Sequence, residues 1–258
     1  MYGTNYFETI ILNVLRGTKA AAISNVYVGL LLTNPGEAGA GTEVAYTGYK
    51  RQKITFTAPA SMENGIGIQN DADITFPIAP SAAGTVTHLG IFDSQTSGNM
   101  ILYGALSEAQ GIEAQEAPVI VAGEAKWYLT GNMSTYFKTA VLNMLRGVAI
   151  NGVTPYLALY NGDPDNGGVE LSGGGYSRLA LTFSAPYEQT SNDMKIWTTE
   201  DVSTARATAL WGEWAQTVVM DAKTGGHPIF SKAKMPSKVM RSRLLVTITA
   251  GNLSLAVN

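Results

Sequence analysis

The chain is written twice, and that fact limits its fold more than any other. Leu12-Asn13-Val14-Leu15-Arg16-Gly17 returns in the second half as Leu142-Asn143-Met144-Leu145-Arg146-Gly147. Tyr6-Phe7 returns at Tyr136-Phe137, Gly48-Tyr49 at Gly175-Tyr176, Arg51 at Arg178, Thr55-Phe56 at Thr182-Phe183, and Ala58-Pro59 at Ala185-Pro186. Asp93 matches Asp221, and Ala122-Gly123 matches Ala250-Gly251, the last two at one shared offset. The order of matches is kept and the offset drifts only slightly, which marks a tandem domain duplication and not a short-period solenoid. A break near Gly131-Asn132 divides the chain into modules 1–131 and 132–258, each of ordinary domain size. The two are expected to fold as independent units of one topology.

Each module is predicted to open with a short amphipathic helix. Tyr6, Phe7, Ile10, Ile11, Val14 and Leu15 recur at helical spacing. Thr4 is the expected N-cap and Gly17 the expected stop, with Ser134 and Gly147 as their counterparts. The stripe is expected to pack on its own sheet, the alternative being that it seals a contact between subunits. Strands follow at 25–33, 49–58, 74–76, 86–92, 100–106 and 119–122, and at 154–160, 176–185, 207–214, 218–220, 228–231 and 244–249. Branched and aromatic residues mark them, and Gly, Pro and Asn turns bound them. This pattern predicts a mainly β chain of two homologous β-sandwich-like domains, each carrying one short N-terminal helix. In the middle the copies diverge. Copy one reads Thr85-Val86-Thr87-His88-Leu89-Gly90-Ile91-Phe92-Asp93, while copy two has Trp211-Gly212-Glu213-Trp214 and then, on this reading, inserted residues before Asp221.

Charge and cysteine content exclude several functions. The net charge of −3 gives no reason to expect nucleic-acid binding. There is no cysteine, so disulfides and thiolate chemistry are out. No apolar run reaches the ~18 residues of a bilayer span, and no secretion signal is legible at the N-terminus. The halves differ in sign: 6 Lys+Arg against 11 Asp+Glu in residues 1–131, then 11 against 9 in residues 132–258, or −5 and +2. Copy two concentrates cations at Lys232, Lys234, Lys238, Arg241 and Arg243, whereas 110–118 is the matching acidic stretch of copy one. Two readings fit: the cations guard exposed strand edges, or basic and acidic edges pair between neighbouring subunits around a ring.

The residues offer little chemistry. The two histidines, His88 and His227, do not fall at matching places in the repeat, and no zinc-ligand spacing exists. Asp163-Pro164-Asp165-Asn166-Gly167 superficially suggests a calcium loop, but the twelfth position is Gly174 where an EF-hand needs glutamate. It and Asn70-Asp71-Ala72-Asp73 read as Asx turns; an irregular calcium site stays open on the sequence. Gly65-Ile66-Gly67 and Gly173-Gly174-Gly175 lack the following Lys-Ser/Thr of a phosphate loop and read as hairpin glycines. No catalytic residue, metal ligand or cofactor site is assigned. Trp211 and Trp214, together with the five cations and His88, form the candidate interface set; core packing is the competing reading for the tryptophans.

Several blocks carry a resemblance: the opening helix around Leu12–Gly17 with its repeat; Glu43-Val44 before Gly48-Tyr49 and Arg51; Ile74-Thr75-Phe76-Pro77; Gly84 through Asp93; Tyr103-Gly104-Ala105-Leu106; and Ala122-Gly123-Glu124. Together they resemble a domain of tailed bacteriophages labelled tail-fibre or minor tail protein. Copy one is similar along nearly all its length; copy two keeps Glu170, 173–178 and Thr182-Phe183. The resemblance implies a non-enzymatic virion structural protein, made in the host bacterial cytoplasm, that binds itself and other virion proteins. A tail or fibre location leads, a capsid decoration protein clamping neighbouring capsomers is the alternative, and a carbohydrate-binding module for a host-surface glycan represents another class.

Overall fold

The computed structural model describes residues 2–188 and 193–257. Copy one runs β1 (Tyr2–Gly3), α1 (Asn5–Val14), β2 (Val26–Leu31), β3 (Gln52–Ile54), β4 (Ala60–Met62), β5 (Gly65–Gln69), β6 (Ile74–Thr75), β7 (Gly84–Phe92), β8 (Met100–Ile112), β9 (Val119–Ile120) and β10 (Lys126–Leu129). Copy two runs α2 (Thr135–Met144), β11 (Tyr156–Tyr160), a 3-10 turn (Pro164–Asn166), β12 (Leu179–Ala180), β13 (Tyr187–Glu188), β14 (Met194–Trp197), β15 (Val202–Ser203), β16 (Gly212–Met220), β17 (Pro228–Met240), β18 (Thr247–Ile248) and β19 (Ser254–Ala256). Mainly β, in two homologous parts each opened by a short helix, is therefore the architecture. Among the described residues no helix is long and apolar enough to cross a membrane.

The helices form for the reasons legible in the sequence. Thr4 and Ser134 are extended N-caps whose hydroxyls accept the Phe7 and Phe137 amides at 3.4 and 3.1 Å, satisfying donors that have no intrahelical partner. Gly17 and Gly147 then take φ +85° and +86°, the left-handed geometry that ends a helix most cheaply with glycine.

Each copy builds a large antiparallel sheet and a small one. The large sheets have orders β1-β8-β7-β2-β3 and β12-β11-β16-β17; the small ones are β10-β5-β4 and β13-β14-β19. β7 and β16 are equally long and begin at Gly84 and Gly212, the same offset that relates Asp93 to Asp221. Hence there are no inserted residues before Asp221. Trp214 occupies the position of Val86, and Met220 that of Phe92; the side chains have changed while the backbone register is kept. The small sheets were poorly legible. Gly65-Ile66-Gly67 lies in strand β5 rather than serving only as turn glycine, because a Cβ on Gly67 would stand 2.7 Å from the Trp127 carbonyl of β10.

The expectation of two independent folding units is not what the structure contains. α1 packs on its own β8 and also on β14 of copy two, while α2 packs on β17 and on β5 of copy one. The chain joins itself reciprocally around a pseudo-two-fold axis. The equivalent residues Ala20 and Ile150 exchange amide bonds of 2.8 and 3.0 Å. The Ile23 amide reaches the Met144 carbonyl at 3.0 Å, and the Val153 amide reaches that of Val14 at 2.9 Å. Arg16 and Arg146 bond the carbonyls of Phe183 and Phe56 at 3.4 and 3.2 Å. One hydrophobic cluster accordingly runs from Phe7 to Val257 through both copies. The physical reason is that a helix between two sheets has two faces to cover, and each copy's small sheet covers the helix of the other. The apolar stripe packs on its own sheet, as expected, and also seals a junction, but between copies of one chain.

Candidate functional site

The most ordered polar arrangement occurs twice. In copy one, Arg51 binds Glu43 with both prongs, Nε at 3.0 and 3.1 Å and Nη2 at 2.9 Å. Its Nη1 donates to the carbonyls of Ser94 and Ser97 at 3.0 and 2.6 Å, and its guanidinium lies 3.3 Å over the Phe92 ring. Tyr49 donates to Glu43 at 2.9 Å and accepts from the Leu30 amide at 2.9 Å. Copy two repeats the set: Arg178 binds Glu170 at 2.9 and 2.7 Å and the carbonyls of Ala222 and Gly225, both at 2.6 Å, while Tyr176 bridges Glu170 and the Leu159 amide. Burial pushes both tyrosine hydroxyls well above their ordinary range, and the Glu170 hydrogen bond raises Arg178 further. The network clamps the turn between β7 and β8, or β16 and β17, to the segment bridged to the end of β2 at Leu31↔Glu43, or of β11 at Tyr160↔Glu170. Inside the turn Asp93 accepts the Asn99 amide and Asp221 the His227 amide. The Glu–Tyr–Arg spacing was visible in the sequence, but its role was not, since the carbonyls it binds lie in a different and distant stretch of the chain.

Beyond the clamped turn the same hairpin extends outward as an arm. β2 pairs with β7 only from His88 to Phe92, so 84–87 run past it. There Thr87 alone faces 106–109, a wide bulge between the pairs His88↔Ala105 and Val86↔Gln110. Copy two has the same bulge: Ala215 faces 234–237, between Gln216↔Ala233 and Trp214↔Lys238. β1 pairs with β8 only at Leu102 and Tyr103. The corresponding stub bridges Met133 to Phe230, and Ser231 bonds Asn132. Past those points, the outer edges of both arms have no strand partner among the described residues. Over matching windows, 104–116 carry Glu108, Glu113 and Glu116 and no cation, while 232–244 carry Lys232, Lys234, Lys238, Arg241 and Arg243 and no carboxylate. Among the described residues no ion pair involves any of these eight charges.

The candidate interface set therefore divides. Lys232, Lys238, Arg241 and Arg243 are exposed, and Lys234 is half-buried 5.4 Å over the Trp214 ring. Trp211 and Trp214 belong to the core at 4% and 6% exposure. Trp211 donates to the Gly174 carbonyl at 2.9 Å and meets Tyr176 edge-on, so neither indole offers an exposed anchor. His88 is half-buried, with Nδ1 2.8 Å from the Thr87 hydroxyl. The Asx turns spend their carboxylates on the chain: Asp165 accepts the Thr135 amide at 2.7 Å, Asp163 the Asp165 amide at 3.1 Å, and Asp73 the Ala122 amide at 2.8 Å. Among the described residues no group of three or more His, Asp or Glu side chains is placed to hold a metal.

A pair of like β units, interlocked through their helices and spending their repeated polar residues on their own backbone, defines a duplicated structural module. The family model described as Podophage GP4 fiber I protein gp80 matches residues 3–127 and again residues 132–256. The chain therefore belongs to this podophage fibre family, as a tandem duplication of its domain. Membership implies a virion component with a tail-fibre structural role, in contact with other virion proteins. No curated protein matches the chain.

Proposed function

We propose that the protein is a non-enzymatic, fibre-associated part of the virion that works by self-association and by docking on a symmetric viral scaffold. The observation that carries this reading is the family match over both copies, joined to a core that locks those copies into one pseudo-symmetric body. Such a body offers two versions of every surface, related by about half a turn, which suits a part placed between symmetric neighbours. The boundary near 131/132 separates two sequence repeats within this one body. The candidate docking residues are the cations of β17 and the segment after it, Lys232, Lys234, Lys238, Arg241 and Arg243. Imaging of intact particles carrying an epitope tag on this chain tests the reading. Label at the tail fibres is the expected result; label over the capsid shell would favour the decoration alternative and overturn the fibre one.

A further inference from the structure

We infer that the two arms are the halves of a head-to-tail contact, in which the acidic arm of copy one receives the basic arm of copy two from a second molecule of this chain. This rests on the self-association reading above and gives it residues and polarity. The arms are one structural element in two copies: same strands, same register, same wide bulge at 106–109 and 234–237. What differs is sign, three carboxylates against five cations over matching windows. Edge protection alone leaves that inversion unexplained, because lysines on both arms would guard both edges equally well.

Opposite signs on equivalent elements have a defined consequence. Contact between two acidic arms or between two basic arms places like charges together and is repelled. Contact between unlike arms is attracted and steered. Each molecule then offers one donor and one acceptor arm, a heterologous arrangement that closes into a ring or continues as a filament. Each side of such a contact also offers an exposed apolar side chain: Val239, on the basic arm itself, is 43% exposed, and Val119 of β9, which lines the same 580 Å³ cleft as Glu108 and Glu116 beside the acidic arm, is 50% exposed. Among the described residues no ion pair engages the charges of either arm, so they remain available to a neighbour.

Light scattering after size exclusion on the full chain, in about 0.1 M and about 1 M salt, tests the inference, since the Debye length falls from roughly 10 Å to 3 Å between them. The expected result is a multiple of 27.3 kDa at the lower salt that falls toward 27.3 kDa at the higher. The triple variants E108K/E113K/E116K, which makes both arms basic, and K238E/R241E/R243E, which takes the window 232–244 from five cations to three carboxylates against two lysines, are expected to run singly at 27.3 kDa and to reassociate when mixed in equal amounts. Thermal unfolding confirms that each variant is folded; K238Q/R241Q/R243Q serves in place of one that is not, with association weakened at least tenfold. A wild-type chain that stays single at 0.1 M, reversal variants that assemble as wild type does, or folded variants that stay apart on mixing would each overturn the inference. A single chain in solution that nonetheless labels the fibres would remove the arm contact and leave the fibre reading standing. A salt-sensitive oligomer that labels the capsid would do the opposite.

Discussion

Replacing Glu8 by Gln should stabilise the protein at neutral and mildly alkaline pH while leaving it unchanged near pH 4.5. Glu8 lies on α1 at 3% exposure and crosses the junction between copies, accepting the Met194 amide of β14 at 2.9 Å. Burial pushes its pKa from the ordinary value of 4.5 up to about 8; the Met194 bond opposes this, and Glu37 and Asp193 nearby add to it. The sign follows from linkage. The folded state holds the proton more tightly than the unfolded chain, so rising pH favours unfolding once the unfolded carboxyl ionises. The penalty is absent below pH 4.5, grows by about 1.4 kcal/mol per pH unit, and levels off above pH 8. The full shift corresponds to a ceiling of roughly 5 kcal/mol; side-chain relaxation with water entry ends the rise at lower pH and brings the expected value to about 2–3 kcal/mol. Glutamine keeps an oxygen for the Met194 amide and has nothing to titrate. At about 2–4 °C per kcal/mol for a chain of this size, Tm of the variant should exceed wild type by about 4–12 °C at pH 8 and match it at pH 4.5. Thermal unfolding of both proteins across this range is the assay, and the difference between them cancels every other titrating group. Parallel curves, or a variant that is the less stable at pH 8, would falsify the account of a neutral buried acid at the junction.

Three further outcomes are expected. Arg51→Ala and Arg178→Ala each leave a partly buried carboxylate and two turn carbonyls without their cation, costing about 3 kcal/mol by urea unfolding, and Lys at either position restores little because it lacks the fork. Residues 1–131 alone should give no folded monomer, because α1 and β5 lose the partners that copy two supplies; sedimentation should show a dimer that unfolds on dilution, and a stable compact monomer would contradict the shared core. Gly152→Ala should lower Tm by about 4–8 °C, for a cost of roughly 2 kcal/mol, because a Cβ there collides with the Gly17 carbonyl.

The sequence and structure agree where the physics is local. Thr4, Ser134, Gly17 and Gly147 marked both helices because caps and stops act within one turn of chain. β2, β7 and β11 showed as branched, aromatic runs; of β8 and β17 only the first parts, 100–106 and 228–231, were legible, and β16, one strand over Gly212–Met220, read as two pieces at 207–214 and 218–220. The small sheets hid for opposite reasons: β5 is rich in glycine, and β10 is a short strand placed just before the expected boundary. The supposed insertion in copy two came from matching residue names, whereas the ladder preserves position and lets Trp214 stand where Val86 does. The interlocking of the copies left no local sign. An apolar stripe is equally apolar whether its second face is covered by its own sheet, by the other copy or by another subunit. Of the candidate site, the charges were readable, but that β8 and β17 are equivalent strands with equivalent bulges required the pairing register.

That equivalence bears on why one chain contains both copies. A symmetric dimer of identical single modules could build the same interlocked core, with each helix lying on the partner's small sheet. It could not place acid on one arm and base on the other, because every substitution would appear on both. Fusion into one chain removes that constraint. Glu8 and its counterpart Lys138 show the same freedom at the junction: the first is buried against Met194, and the second reaches the Gly131 carbonyl from the surface at 3.2 Å. A duplicated chain can keep pseudo-symmetry where the core needs it and discard it where polarity is useful. Two arms of equal shape and opposite sign are what such a chain needs to join its neighbours in one direction only.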